Sequence, residues 1–274
     1  MLAFRGDVAA EHLKGKVSAQ RFVAGRFLQV RAGSAALRKA PDAMAEQVNQ
    51  ALFGEGFTVY DEAEGWAWGQ LATDNYVGWM RADELGPPAE TTHRVKVLRS
   101  FIFSRPDMKS VPLLAVSMNA KLALGEVSSG FARVAGSGWI FARHASPVTE
   151  FETDFVGVAE RFVGSPYLWG GRESAGIDCS GLVQVSLQAT GQDVLRDSDM
   201  QEQTLGTKLA TDASYSGLKR GDLVFWRGHV GMMCDGVRLL HASARDLHVE
   251  IEPLAEAVAR IRPIAGEVRS VRRL

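Results

Sequence analysis

Cysteine is scarce in this chain: there are two, Cys179 and Cys234, among 274 residues. Two thiols do not make a disulfide framework. Neither CxxC nor HxxxH spacing occurs around them, so zinc is not expected, and no metal or other cofactor is called for. Long apolar runs are also missing. None reaches the roughly 20 residues that span a bilayer, and the first 25 residues lack both a basic opening and the apolar run that marks export. Charge of one sign is not in excess. Lys and Arg number 31 against 32 Asp and Glu, net −1, which gives no electrostatic case for nucleic acid or an anionic membrane surface. The expectation is a cytoplasmic protein. Apolar residues are plentiful at 46%, enough for two or three domains at this length.

Against that background one cysteine stands out. Cys179 lies in Gly176-Ile177-Asp178-Cys179-Ser180-Gly181-Leu182, ahead of a run that places Leu182, Val183, Leu187 and Ala189 at roughly helical spacing and stops at Gly191. A free thiol has a pKa of about 8.5 and needs help to act as a thiolate. The start of a helix offers unpaired N–H groups and the positive end of the dipole. Cys234, in an apolar strand, reads as packing.

Downstream, residues 219–233 form two short apolar runs joined by Arg227-Gly228, with His229 just after the turn; a third run, 238–242, carries His241. The histidines are twelve residues apart. Two antiparallel strands joined at Asp235-Gly236 fill that span, and neighbouring strands lie roughly 5 Å apart. His241 is then expected to hydrogen-bond one nitrogen of His229 and leave the other for sulfur, an arrangement of nucleophile, base and orienter suited to acyl transfer.

The motifs Tyr167-Leu168-Trp169-Gly170-Gly171, Asp178-Cys179-Ser180-Gly181-Leu182, Gly221-Asp222-Leu223-Val224-Phe225 with His229, and Leu240-His241-Ala242 come in an order that resembles the NlpC-type papain-like cysteine peptidases of bacterial cell walls. The resemblance covers about residues 150–274. It implies an α+β papain-like domain that cleaves peptidoglycan peptides, with Cys179 as nucleophile, His229 as base and His241 as third polar residue. It also implies a hydroxyl from Tyr167 near the sulfur. Asp178 reads equally as a plain helix N-cap.

The upstream half reads as β-rich. Short runs at 26–30, 46–48, 56–60, 66–70 and 76–80, separated by Gly, Asp and Asn, argue for a small barrel, and its closing Tyr76-Val77-Gly78-Trp79 resembles bacterial SH3-like domains. Pro87-Pro88 reads as a boundary. A second set, at 94–101, 113–116, 121–126, 131–134 and 138–140, matches such a barrel less well. The expected organisation is therefore an N-terminal segment (1–25), SH3-like domains at 26–88 and 89–147, and a peptidase domain at 148–274. That last domain opens with a helix capped by Asp154, whose apolar face is expected to pack on the His229 sheet.

Leu195-Arg196-Asp197-Ser198 is similar to a run in family members that act on recycled peptides with a free amino terminus. The resemblance implies that Glu55, Tyr76, Asp178, Ser180, Asp197 and Ser198 hold the substrate's ammonium and first residue, since a desolvated ammonium needs a carboxylate and several acceptors. The alternatives leave Glu55 an exposed charge, Tyr76 a core residue and Asp197-Ser198 a helix cap. The activity implied is hydrolysis of the γ-D-glutamyl–diamino acid bond in peptides beginning with L-Ala, without nucleic-acid or membrane partners. Still open are a general wall hydrolase, an amidase or acyltransferase on the same scaffold, and a peptide-binding protein without catalysis.

Overall fold

In the computed structural model, residues 1–212 and 215–274 are described. They divide into two compact units, Met1–Glu150 and Phe151–Leu274.

In the first unit, a seven-stranded antiparallel sheet runs in the order Gln47–Leu52, Ser34–Arg38, Val77–Arg81, Trp66–Leu71, Gly56–Ala63, Arg26–Val30 and Leu85–Gly86. Alternation puts Val30, Leu37, Phe57, Val59, Leu71 and Met80 into one core. Ser34–Arg38 goes unseen in the sequence because its Ser-Ala-Ala opening has little β preference. The first 25 residues are part of this body. Val8–Ala10 pairs in parallel with Arg21–Val23, and the Arg5 guanidinium sits 4.6 and 4.8 Å from the ring centres of Trp68 and Trp79.

The remaining strands of this unit form a five-stranded and a three-stranded antiparallel sheet around Ile102, Val116, Leu122 and Ile140. The run expected as one strand at 94–101 is two. His93–Val95 pairs with Ala145–Pro147, and Arg99–Phe103 pairs with Pro112–Ser117, so the chain changes sheets at 96–98. Leu52 and Phe53, which follow from the first barrel, belong to this second core. Phe53 also accepts a backbone bond from Lys121 at 2.8 Å.

The second unit is built on a six-stranded antiparallel sheet, ordered Thr207–Lys208, Ser270–Arg273, Leu223–Trp226, His229–Met233, Arg238–Ser243 and His248–Pro253. Among the described residues, four helices accompany it: α1 (Phe155–Glu160), α2 (Cys179–Ala189), α3 (Ser198–Thr204) and α4 (Leu254–Ala265). In α2 every residue but Gln188 is buried, because α1 covers one side and the strands carrying His229 and His241 the other. This corrects the expectation for the opening helix. α1 is capped by Asp154 as anticipated, but it packs chiefly against α2, and α2 meets the sheet. Leu254, Ala257, Val258 and Ile261 of α4 pack with Met233 and Leu239, on the sheet face that alternation assigns to His229 and His241 as well.

Candidate active site

Cys179 is the first residue of α2, and Asp178 is its N-cap, accepting from the Gly181 N–H at 2.7 Å. Backbone N–H groups of Ser180 and Val230 are directed at the sulfur, so the thiol meets the His229 strand one residue past His229. Burial raises the thiol to about 12, with the Asp178 charge adding to the effect; the two N–H groups and Arg196 only partly oppose it.

The hairpin forms as the sequence implied, with Trp226 opposite His229 and Gly228 at φ 73° in its turn. The next pairings, Met232 to Leu240 and Met233 to Leu239, bring the two histidines onto neighbouring positions. His229 Nε2 lies 2.8 Å from His241 Nδ1, with ring centres 5.0 Å apart. Burial lowers His229 to about 3, and the Arg260 charge pushes the same way. A neutral imidazole has a lone pair ready for a proton, as a general base requires. His241 is 1% exposed, and its other nitrogen, Nε2, lies 2.8 Å from Glu252 Oε1. Glu252 is in turn ion-paired with Arg260 of α4. Beside these groups opens a cavity of about 230 Å³, lined among others by Tyr167, Trp169, Arg227, His229 and Arg260.

Residues 164–264 match the NlpC/P60 family, and residues 37–85 match the bacterial dipeptidyl-peptidase SH3 domain. The C-terminal unit carries an NlpC/P60 domain. The chain is 27% identical over 231 residues to a gamma-D-glutamyl-L-lysine dipeptidyl-peptidase of Bacillus subtilis (strain 168), covering 76% of each chain. It is 29% identical over 205 residues to dipeptidyl-peptidase 6 of Lysinibacillus sphaericus, covering 72% of this chain and 70% of that one. The crystal structure of an NlpC/P60 family protein from Bacillus cereus ATCC 10987 superposes with a TM-score of 0.75 at 22% identity, covering 90% of this chain and 99% of the other. At that identity the likeness concerns the fold.

Around the NlpC/P60 cysteine, Asp178 has both carboxylate oxygens engaged. Arg196 donates to them at 2.9 and 2.6 Å, and the Gly170 N–H donates at 2.8 Å in addition to the Gly181 cap. Arg196 and Asp178 are almost fully buried, so the positive charge that compensates Asp178 is already supplied by the protein. Asp178 caps α2 and is ion-paired with Arg196 in this geometry. Ser180 accepts from Arg196 at 2.8 Å. Asp197 caps α3 through its backbone, with its carbonyl accepting from Gln201 N, and Ser198 is the first residue of that helix. Tyr167 lines the cavity, and burial raises its hydroxyl.

In the first unit Glu55 is buried, not the exposed charge of the bland alternative; it accepts from Leu52 N and from Thr73 Oγ1, both at 2.8 Å. Tyr76 is a member of the barrel core.

Two site residues carry little signal in the sequence. Arg196 stands out only as a neighbour of Asp197, and Glu252 is marked only by His248, Glu250 and Glu252 being polar at every second position, so that they share the His241 face once the strands pair. The donor atoms of His241, Glu250 and Glu252 lie within 4.8 Å of one another. Arg260 supplies positive charge at Glu252, where a cation would have to sit.

Proposed function

We propose that this protein is a cysteine endopeptidase that hydrolyses the γ-D-glutamyl–diamino acid bond of peptidoglycan-derived peptides with a free amino-terminal L-Ala, acting in murein recycling in the cytoplasm. The observation that carries the chemistry is the alignment of a helix-opening Cys179 beside the His229 strand, with His229 hydrogen-bonded to His241. The substrate assignment rests on the likeness to the two dipeptidyl-peptidases.

As general base, His229 takes the thiol proton as the sulfur attacks the γ-carbonyl. The tetrahedral intermediate collapses as His229 returns that proton to the leaving amine, the C–N bond breaks, and a thioester remains. Water, deprotonated by His229, then releases the acyl group and restores the thiol. Arg196 and Asp178 hold the start of α2 in place. Glu55, Tyr76, Asp178, Ser180, Asp197 and Ser198 are assigned on resemblance to the ammonium and first residue of the substrate.

The test is product analysis with L-Ala-γ-D-Glu-diaminopimelate and its N-acetylated twin, beside a Cys179→Ala control. Cleavage of the free peptide alone, abolished in the control, supports the reading. Equal cleavage of both removes the requirement for a free terminus and leaves a general wall hydrolase, whereas no cleavage of either rejects the peptidase assignment for these substrates.

A further inference from the structure

The relay of polar groups does not end at His241. Its Nε2 lies 2.8 Å from Glu252 Oε1, and Glu252 carries the Arg260 ion pair. Glu250, directly opposite His241 in the sheet, stands off at 3.8 Å. The ionisable groups facing His241 are therefore His229 from the preceding strand and Glu250 and Glu252 from the following one, with Arg260 of α4 behind Glu252.

We infer that Glu252, held by Arg260, is a positioning residue that selects the proton tautomer of both histidines. This inference rests on the reading of Cys179 as nucleophile. An ionised carboxylate only accepts hydrogen bonds, so His241 Nε2 must carry the proton it shares with Glu252. His241 Nδ1 is then a lone pair and accepts from His229 Nε2–H. With that proton on Nε2, neutral His229 has its lone pair on Nδ1, the nitrogen left for the thiol. The chain of donors runs one way: His229 Nε2–H to His241, His241 Nε2–H to Glu252. Against its own burial, the His241 hydrogen bond, with Arg260 beside it, holds Glu252 below the usual carboxylate range. His229 is lowered chiefly by burial, and the Arg260 charge pushes the same way. Without the carboxylate, His241 is free to place its proton on Nδ1 and donate to His229 Nε2; the His229 proton then sits on Nδ1 and blocks the attack.

The experiment compares wild type with Glu252→Gln and with Glu252→Leu/Arg260→Met, the double change removing the charge that the single one strands. Long-range ¹H–¹⁵N NMR of the imidazoles reads the tautomers directly, and the pH profile of iodoacetamide alkylation at Cys179 reads the base. Expected are Nε2–H tautomers at both histidines in wild type, a mixture in the double variant, and alkylation and kcat/KM about 10- to 100-fold lower with KM little changed. Glu252→Gln keeps a carbonyl oxygen for His241 and is expected to recover part of the loss. Melting curves separate this from loss of fold. Wild-type alkylation and unchanged tautomers in the folded double variant overturn the inference. If Cys179 is inert even in wild type, the nucleophile assignment fails, and the NMR comparison still decides the tautomer claim by itself.

Discussion

At the residue scale, the burial of His229 makes the protein sensitive to acid. His229 is lowered to about 3 when folded and returns towards 6.5 when unfolded. Between those values the unfolded chain holds one proton more, so stability is present above pH 6.5 and declines as pH falls, by about 1.4 kcal/mol per unit within the window. Cys179 acts at the other end. Raised from 9.0 to about 12, it keeps its proton in the fold while the unfolded chain loses it, and stability falls as pH rises past about 9. Urea midpoints measured from pH 4 to 10 are expected to show both slopes, with the acid one reduced in His229→Gln and the alkaline one in Cys179→Ala. Asp178 has a different sensitivity. Asp178→Asn leaves the Arg196 guanidinium buried without its counter-charge and is expected to cost about 3–5 kcal/mol, whereas Asp178→Asn/Arg196→Met costs less. Equal losses in a denaturant titration of the two variants would refute this.

At the scale of elements, the position of the nucleophile depends on how closely α2 approaches the chain before it. A Cβ on Gly181 would come 2.3 Å from the Gly171 carbonyl oxygen, a backbone atom that cannot swing aside. Gly181→Ala is expected to cost about 1–3 kcal/mol by overpacking and to lower kcat more than it raises KM, because the start of α2 is displaced. A normal melting temperature with normal turnover would show that the loop yields freely. The histidine pair belongs to this scale too. The Arg227-Gly228 turn and the alternating strands were legible in the sequence because turn chemistry and period-two patterning are local. The step from His241 to Glu252 was not, since it needs the pairing of Arg238–Ser243 with His248–Pro253. Nor was the partner of α1: an apolar helical stripe says that a face is covered but not by what, and here α2 intervenes.

At the scale of the whole molecule, the two β-rich segments of the first unit are not independent beads. Leu52 and Phe53 leave the first barrel and enter the core of the second. Phe53→Ala is expected to cost about 3–5 kcal/mol and to lower the unfolding midpoint of both segments together. Two well-separated transitions by fluorescence, only one of them shifted, would contradict this. Among the described residues no helix is long and apolar enough to cross a membrane.

Local chemistry made four features legible before folding: a cysteine at the start of a helix, a histidine after a glycine turn, a second histidine twelve residues on, and two runs of short strands with a tryptophan-rich first member. The rest waited for the folded chain. Folding gave Asp178 to Arg196, buried Glu55, divided one expected strand between two sheets and set Glu252 behind His241. Each of these is a contact between segments that meet only when the chain folds. A carboxylate's role follows from the charge it meets there, and its own residue type does not specify that charge.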